Sequence, residues 1–338
     1  MKRFYNLFQL FVVALMLMNV AVANAQNANK LSFRSNGTFK IVQFTDTHIV
    51  WEDSCSNAAY DCIDKVVKSE HPDFIILTGD IIYSEPAIDN FKKVMNYVAQ
   101  YRTPFAFVFG NHDHQFNVTD RELLTAVKDI PYNMTTTIVG VSGDSNFDLP
   151  VYAPDGQNVK AVLYGFDSHN DLHLRHSKVK GYDYIYRDQI DWYVRTSKNY
   201  TLKNNGVPIP SLAFFHIPLP EYWYAAADPV SILYGTRREP MCNPKLNSGL
   251  FCAMEEQGDI MGMFCGHDHD NDYAVSYYDI LLAYGRFSGG NTEYNHLNGN
   301  GARVVEMKEG ERSFKTWIRL RNGAVEQVTT FPKDYVNR

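Results

Sequence analysis

The sequence predicts an α/β protein, and three observations carry that expectation. Short, fully apolar runs alternate with amphipathic stretches from residue 40 to 109, the pattern of right-handed parallel βαβ units. Polar residues of a few types follow directly on five of the apolar runs. After residue 270 the chain changes to successive strand-like segments without helices between them.

In order, Lys-Ile-Val-Gln-Phe-Thr at 40–45 predicts a short buried strand with Asp46 at its carboxyl end. Residues 57–70 place Ala58, Cys62, Val66 and Val67 at helical spacing and stop before His71-Pro72. Phe74 to Leu77 predicts a second strand, closed by Gly79-Asp80, and Phe91, Val94, Met95 and Val98 the next helix. Phe105 to Phe109 predicts a third strand before Gly110-Asn111-His112-Asp113. Val162 to Phe166, Leu212 to Phe215 and Met261 to Cys265 continue the strands, with helices expected around 188–197 and 249–257. Tyr273 to Tyr278, Ile280 to Tyr284, Ala302 to Met307 and Phe314 to Leu320 are the closing strands. The intervals 132–160 and 167–187, rich in Gly, Asn, Asp and aromatics, read as long surface loops of the kind that carry function or an insertion.

The amino terminus reads as a leader. Lys2 and Arg3 precede an apolar run from Leu10 to Met18, and Ala23-Asn24-Ala25 offers a cleavage site, so residues 1–25 are expected to be a secretory signal peptide. The run is half of what a spanning helix needs, and no other stretch approaches that length, so an exported protein, periplasmic or secreted and without stable membrane insertion, is expected. Of the 338 residues, 45% are hydrophobic and 21% charged, which excludes a disordered, collagenous or coiled-coil chain. Loss of Lys2 and Arg3 moves the formal charge from −6 to −8, which argues against a long nucleic-acid partner. Five Cys in an oxidising compartment allow at most two disulfides. Cys55/Cys62 and Cys242/Cys252 are the natural local pairs, and Cys265 reads as a buried strand thiol. Without any CxxC, zinc-ribbon and thioredoxin-like readings have no support.

Chemistry is concentrated at the strand ends. Asp46-Thr47-His48, Gly79-Asp80, Gly110-Asn111-His112-Asp113, Phe215-His216 and Gly266-His267-Asp268-His269 each follow an apolar strand. In an open α/β sheet, ligands gather outside the carboxyl ends of the strands. Asp46, His48, Asp80, Asn111, His216, His267 and His269 are oxygen and imidazole donors, a set suited to Zn, Mn, Fe or Ni rather than to an iron–sulfur cluster. They are too many for one tetrahedral ion but suit two ions sharing a bridge, and Asp80 is the central bridging candidate. Length alone suggests roughly two domains. Blocks from Asp46 to His269 must instead converge on one site, so residues 26–338 are expected to form a single domain.

These five blocks, in order and spacing, resemble the calcineurin-like metallophosphoesterase family. Phe215-His216-Ile217-Pro218-Leu219-Pro220-Glu221, Gly266-His267-Asp268-His269-Asp270-Asn271-Asp272, Asn247-Ser248-Gly249 and Thr316-Trp317 resemble more narrowly its purple acid phosphatase-like branch. The likeness runs from about residue 38 to 320. It implies a metallophosphoesterase-type sandwich of two mixed β-sheets flanked by helices, with a dimetal site on one rim. One ion would be held by Asp46, His48, Asp80 and His269, the other by Asp80, Asn111, His216 and His267. The cofactors implied are two divalent or mixed-valence ions, Fe, Mn, Zn or similar. His112 would face the substrate phosphate as the catalytic candidate, with Asp113 orienting it. The activity implied is hydrolysis of small phosphate monoesters by in-line attack of a hydroxide bridging ions roughly 3.5–4 Å apart. A small phosphodiester, or a catalytically silent scaffold of the same fold, are the alternatives. The chain departs from classical members at His48, where they carry Gly; His48 would take the place that a ligating Tyr three residues after the bridging Asp otherwise fills. Tyr83 is then expected to be a packed aromatic.

Several other residues have a plainer reading beside the functional one. A lone strand-end Asp or His is more often a satisfied polar group than a ligand, and it is the coincidence of seven that argues for metal. His114 reads as a loop residue, and His169, His173 and His176 as solvated. Arg237-Arg238 reads as an exposed pair. Trp51, Glu52, Tyr222, Trp223 and Tyr224 are equally consistent with pocket wall and with core. An adhesion or polysaccharide module would suit the aromatic surplus but does not predict ordered ligand blocks.

Overall fold

The computed structural model describes residues 30–336, except 175 and 177; the expected leader over 1–25 lies outside them. In chain order the elements are β1 (Thr38–Phe44), α1 (Asn57–Glu70), β2 (Phe74–Thr78), α2 (Ala87–Ala99), β3 (Phe105–Val108) and α3 (Asp120–Val127). There follow β4 (Phe147–Tyr152), β5 (Val159–Gly165), α4 (Arg187–Lys203), β6 (Ser211–Phe214), α5 (Pro220–Ala227), β7 (Leu233–Tyr234) and α6 (Leu250–Gln257). The chain closes with β8 (Ile260–Cys265), β9 (Ala274–Tyr277), β10 (Ile280–Tyr284), β11 (Gly301–Lys308), β12 (Phe314–Leu320) and β13 (Val325–Phe331).

Two mixed sheets result. The first has the order β13-β12-β11-β1-β2-β3, with β1, β2 and β3 parallel and β11 antiparallel to β1. The second has the order β4-β5-β6-β8-β10-β9-β7, with β5, β6, β8 and β10 parallel. Successive strand residues point to opposite faces, and the apolar strands use both. Phe39, Ile41, Phe74 and Ile76 from the first sheet meet Leu163, Leu212, Phe214, Met261 and Leu281 from the second in a shared core. Their neighbours Val42, Phe44, Ile75 and Leu77 pack outward against α1, α2 and α3, while Tyr164, Phe215, Met263 and Leu282 pack against α4, α5 and α6. The expected α/β sandwich of two mixed sheets flanked by helices is the observed one.

The differences are local. β4 and α3 fall where a loop or no element was expected. Pro150 argues against a strand, yet β5 is the one named strand that β4 pairs with, at a sheet edge where a missing N–H is tolerated. α3 begins with a capping box between Thr119 and Glu122, a signal legible in Thr-x-x-Glu. α5, β7 and β13 also went unread. The expected disulfides are not formed: all five cysteines are free. Cys62 lies on the core face of α1 with Ile63 and Val66 while Cys55 lies in the turn ahead of it, and Cys242 and Cys252 are both exposed. Cys265 is the buried strand thiol expected. Among the described residues no helix is long and apolar enough to cross a membrane.

Polar cross-ties join the sheets. Gln43 on β1 donates to Thr78 Oγ1 at 2.8 Å and to the Cys265 carbonyl of the second sheet at 3.0 Å. Arg303 on β11, only 1% exposed, donates to the Tyr284 carbonyl at 2.5 Å, to Thr316 Oγ1 at 3.1 Å and to the Asp272 carbonyl at 2.7 Å. Arg303→Leu strands the Tyr284 and Asp272 carbonyls in a dry interior, where each unsatisfied group costs about 1–3 kcal/mol. Urea unfolding of this variant is expected to show a loss of about 2–5 kcal/mol with little change in m; a loss below about 1 kcal/mol would remove Arg303 from the ties that hold the sheets together.

Candidate metal centre

The parallel strands β1, β2 and β3 of one sheet and β6 and β8 of the other end on the same rim, and each leads straight into one polar block. Four of those polar residues adopt left-handed backbone: Asp46 (φ 55°), His48 (φ 42°), Asp80 (φ 50°) and His267 (φ 78°). For side-chain-bearing residues such conformations cost about 1–3 kcal/mol each and persist where the surroundings over-determine them. Here the strand-end loops are laced together. The Asp46 amide donates to the Gly79 carbonyl at 3.1 Å, the His48 amide to the Asp80 carbonyl at 3.0 Å and the Gly266 amide to the His216 carbonyl at 3.0 Å. Two glycines allow the close approach: a Cβ on Gly79 would lie 2.5 Å from His216 Nδ1, and one on Gly110 would lie 2.3 Å from Asp80 Oδ1.

The seven metal-ligand candidates come together. Ligand-type atoms of Asp46, His48 and His269 lie within 4.8 Å of one another, as do those of Asp80, His216 and His267. Asp80 Oδ2 is between the groups, 3.7 Å from His48 Nε2 and 3.1 Å from His216 Nε2. Asn111 Oδ1 is 3.2 Å from His216 Nε2. All seven side chains are buried.

The donor atoms fit a pair of hard-to-borderline divalent ions. His216 Nδ1–H donates to the Thr78 carbonyl at 2.8 Å and His269 Nδ1–H to the Tyr294 carbonyl at 2.9 Å, which turns both Nε2 atoms inward. His48 Nε2 and His269 Nε2 face each other at 3.1 Å, and His267 Nδ1 and His216 Nε2 at 3.3 Å. To ligate, these rings must be neutral imidazoles with their lone pairs turned towards one another, an arrangement that an ion completes. The other ring nitrogens of His48 and His267 are buried without a partner.

Electrostatics follow from burial and charge. Burial pushes His48 down to about 4 and His267 to about 3, the latter helped by the charge of His216. Burial opposes the charged form of His216 and His269 too, but Asp80 raises the first to about 10 and Asp46 the second to about 9. Burial would raise both carboxyls, yet their imidazole partners hold Asp46 and Asp80 below the ordinary carboxylate range.

His112 stands at the mouth, with its side chain 30% exposed. Its amide donates to Asp80 Oδ1 at 2.8 Å, and its Nε2 is 3.9 Å from Asp80 Oδ2. Asp113 does not orient it, contrary to expectation. The buried Asp113 carboxylate instead accepts from the amides of Ile81 (2.7 Å), Ile82 (3.1 Å) and Gly110 (2.8 Å), pinning the loops after β2 and β3 to each other. Burial and the charge of Asp80 push that carboxyl up to about 7. The partner of the His112 ring is Gln115, whose Oε1 accepts from Nδ1 at 2.8 Å. Gln115 was missed because Asp113 is nearer in sequence and the more usual partner.

Tyr83 packs edge-on to His48 and His112, with ring centroids 5.1 and 5.2 Å away, and burial and Glu293 raise its phenol. Tyr182 sets its edge against His267 at 4.3 Å and Tyr294 stacks on His269 at 4.5 Å, two site residues that no sequence signal singled out. His114 is a held residue, 2.6 Å from Asn170 Nδ2. His169 is likewise not solvated: it bonds Gln189 at 2.9 Å and stacks on Tyr186, whereas His173 and His176 are exposed. Tyr222 is core, and Trp223 and Tyr224 are about half exposed. Trp51 lies under Lys93 Nζ at 4.8 Å, and Glu52 is exposed. Arg237 and Arg238 are exposed but anchored, on the carbonyls of Ala226 and His296.

Comparison with known proteins agrees with this geometry. The chain is 30% identical to a protein of Arabidopsis thaliana named probable inactive purple acid phosphatase 29, over 94% of this chain and 91% of that one. It is 29% identical to the phosphatase DCR2 of Saccharomyces cerevisiae, over 90% of this chain and 57% of that one. The fold is similar to that of a dimetal phosphatase from Danio rerio, with a TM-score of 0.58 at 12% identity, covering 86% of this chain and 99% of that one. The calcineurin-like phosphoesterase pattern itself matches residues 39–271, from β1 through the last ligand block. The chain therefore belongs to the calcineurin-like phosphoesterase family, among relatives named as purple acid phosphatases.

Proposed function

We propose that the protein is an exported dimetal phosphoesterase acting on small phosphate monoesters. The observation that carries this reading is the pair of buried clusters of ligand-type residues, with Asp80 of one 3.7 Å from His48 of the other and His112 at their open side. Asp46, His48, Asp80 and His269 would hold one ion, and Asp80, Asn111, His216 and His267 the other. Bound there, two divalent ions supply Lewis acidity for water activation and for neutralising phosphoryl charge. The chain's own contribution is orientation and proton handling. The carbonyls of Thr78 and Tyr294 fix two imidazoles by their Nδ1 protons. Gln115 Oε1 accepts a hydrogen bond from the Nδ1–H of His112, which leaves Nε2 for the rim where a phosphate would sit. In its doubly protonated form, with Nδ1–H on Gln115 and a second proton on Nε2, His112 would steady the phosphate oxygens or hand the Nε2 proton to the leaving alkoxide, a role worth about 10²–10⁴-fold. Asp113 acts one step removed, by holding Gly110 and the Ile81 amide and hence Asn111 and Asp80 in place. Export rests on the leader pattern in residues 1–25.

A catalytically silent scaffold is the second reading, favoured by the word "inactive" in the name of the plant relative. Metal analysis combined with turnover of p-nitrophenyl phosphate and bis-p-nitrophenyl phosphate separates the two. The enzyme reading expects bound metal and faster turnover of the monoester. Metal without turnover of either ester selects the scaffold, and faster turnover of the diester selects a phosphodiesterase.

Asp80→Ala is expected to abolish both bound metal and activity. His112→Ala is expected to keep the metal and lose about 10²–10⁴-fold in kcat. Ordinary turnover in Asp80→Ala would sink the bridging assignment.

Metal loading is also expected to release protons. In the metal-free protein His216, raised to about 10, and His269, raised to about 9, are protonated at neutral pH. Ligation must displace those protons, so affinity rises with pH up to these values and falls below them. Calorimetry in two buffers of different ionisation enthalpy reads the release directly; a heat independent of buffer would contradict it.

A further inference from the structure

The carbonyls that orient His216 and His269 are held in very different ways. The acceptor for His216 is Thr78, a β2 residue paired with Val108 of β3. The acceptor for His269 is Tyr294, in the connection over residues 285–300, which has no helix or strand of its own. The ends of that connection are pinned by backbone. The Ser288 amide donates to the Thr45 carbonyl at 3.0 Å and the Asn291 amide to the Cys55 carbonyl at 2.9 Å, while Arg286 donates to the Gly299 carbonyl at 2.7 Å.

Between those ends, side chains from two neighbouring loops hold the connection, and Glu239 is the central one. Its Oε1 accepts the Asp270 amide at 2.5 Å, one residue beyond His269, and its Oε2 accepts the Tyr294 phenol at 2.9 Å. Tyr294 stacks on the His269 ring at 4.5 Å and 29°. Asp270 adds a parallel tie, with Oδ1 accepting the His296 amide at 2.6 Å. One carboxylate thus joins the last ligand block to the residue that orients its histidine. Glu239 is placed by its backbone and not by that carboxylate. Asn271 Oδ1 accepts the amides of Arg238 and Glu239 at 3.0 and 3.2 Å, and the Asp272 amide donates to the Thr236 carbonyl at 2.9 Å.

We propose, resting on the two-ion reading above, that Glu239 is a positioning residue for one ion of the pair. Acting through Tyr294, it sets the direction of the His269 lone pair, and so governs binding on the Asp46/His48/His269 side but not on the Asp80/His216/His267 side. An imidazole held by its Nδ1–H offers the Nε2 lone pair along one line, and loss of such an outer partner costs about 10–100-fold in metal affinity. His216 keeps its bond to Thr78 whatever stands at 239, because that carbonyl belongs to the sheet.

The test is calorimetric titration of the metal-free full chain with Zn²⁺, in the parent and in single variants. The parent is expected to take two ions. Glu239→Ala should bind one ion as the parent does and the other ~10–100-fold more weakly. Glu239→Gln keeps an acceptor for the Asp270 amide and a partner for the phenol, and should return to within ~5-fold of the parent. Tyr294→Phe keeps the ring and the carbonyl but loses the phenol bond, and should weaken the same ion ~5-fold. In a His269→Ala background, Glu239→Ala should change nothing further. The proposal is overturned if Glu239→Ala leaves both affinities unchanged or lowers them together, the result of a merely structural role. It is overturned equally if Glu239→Gln binds no better than Glu239→Ala, if Tyr294→Phe binds as the parent does, or if Glu239→Ala still acts without His269. A parent that takes fewer than two ions overturns the dimetal reading and the proposal with it, whereas two ions in the parent with any of those results overturns the proposal alone.

Discussion

One buried carboxylate organises the rim. Asp80 leaves β2 in a left-handed conformation, accepts the His112 amide on Oδ1, and turns Oδ2 to His216 on one side and His48 on the other. A negative charge in so dry a place is tenable only with positive charge or oriented donors around it. Its surroundings sharpen the demand, since its charge acts unfavourably on Asp46 and, together with burial, pushes Asp113 up to about 7. Four histidines and two further carboxyls thus share one buried volume, in which the protons on His216 and His269 offset the carboxylates. A pair of divalent ions is the simplest arrangement that relieves the crowding, and the phosphoesterase reading follows from that electrostatic need as much as from family membership.

Holding such a site requires a rigid base. The strained residues Asp46, His48, Asp80 and His267 are kept in place by backbone hydrogen bonds that cross from loop to loop, and those loops are rooted in strands buried on both faces. Gln43 and Arg303 tie the two sheets together beneath the rim. A small shift of one sheet against the other would move Asp46 and Asp80 relative to His216 and His267, because the candidate ligands of each cluster come from both sheets. The stability of the apolar sandwich therefore offsets the cost of the polar, strained edge.

Legibility differed by the range of the interactions involved. Asp46, Asp80, Asn111, His216 and the His267/His269 pair were legible because each marks an abrupt change from an apolar strand to a polar residue. The role of Asp113 was misread because adjacency in sequence does not give side-chain direction. Its carboxylate turns back to the Ile81 and Gly110 amides, and Gln115, two residues on, reaches the His112 ring. β4 was hidden in a stretch read as a loop for its Gly, Asn and Asp content, and its Pro150 is tolerated at a sheet edge. The cysteine pairs failed because closeness in sequence says nothing of the face each residue occupies: Cys62 sits on the core stripe of α1, and Cys55 sits outside the helix.

By itself, the sequence determined the α/β class, the five strand-end blocks and the chemistry of their donors, since these depend on local periodicity and on residue type. Tertiary structure alone decided that Asp80 stands between the two clusters, that Gln115 and not Asp113 meets His112, and that Tyr182 and Tyr294 pack on His267 and His269. Each of these is set by the angle and register at which distant strands and loops meet, and residues far apart in the chain carry no local mark of the partner they will face.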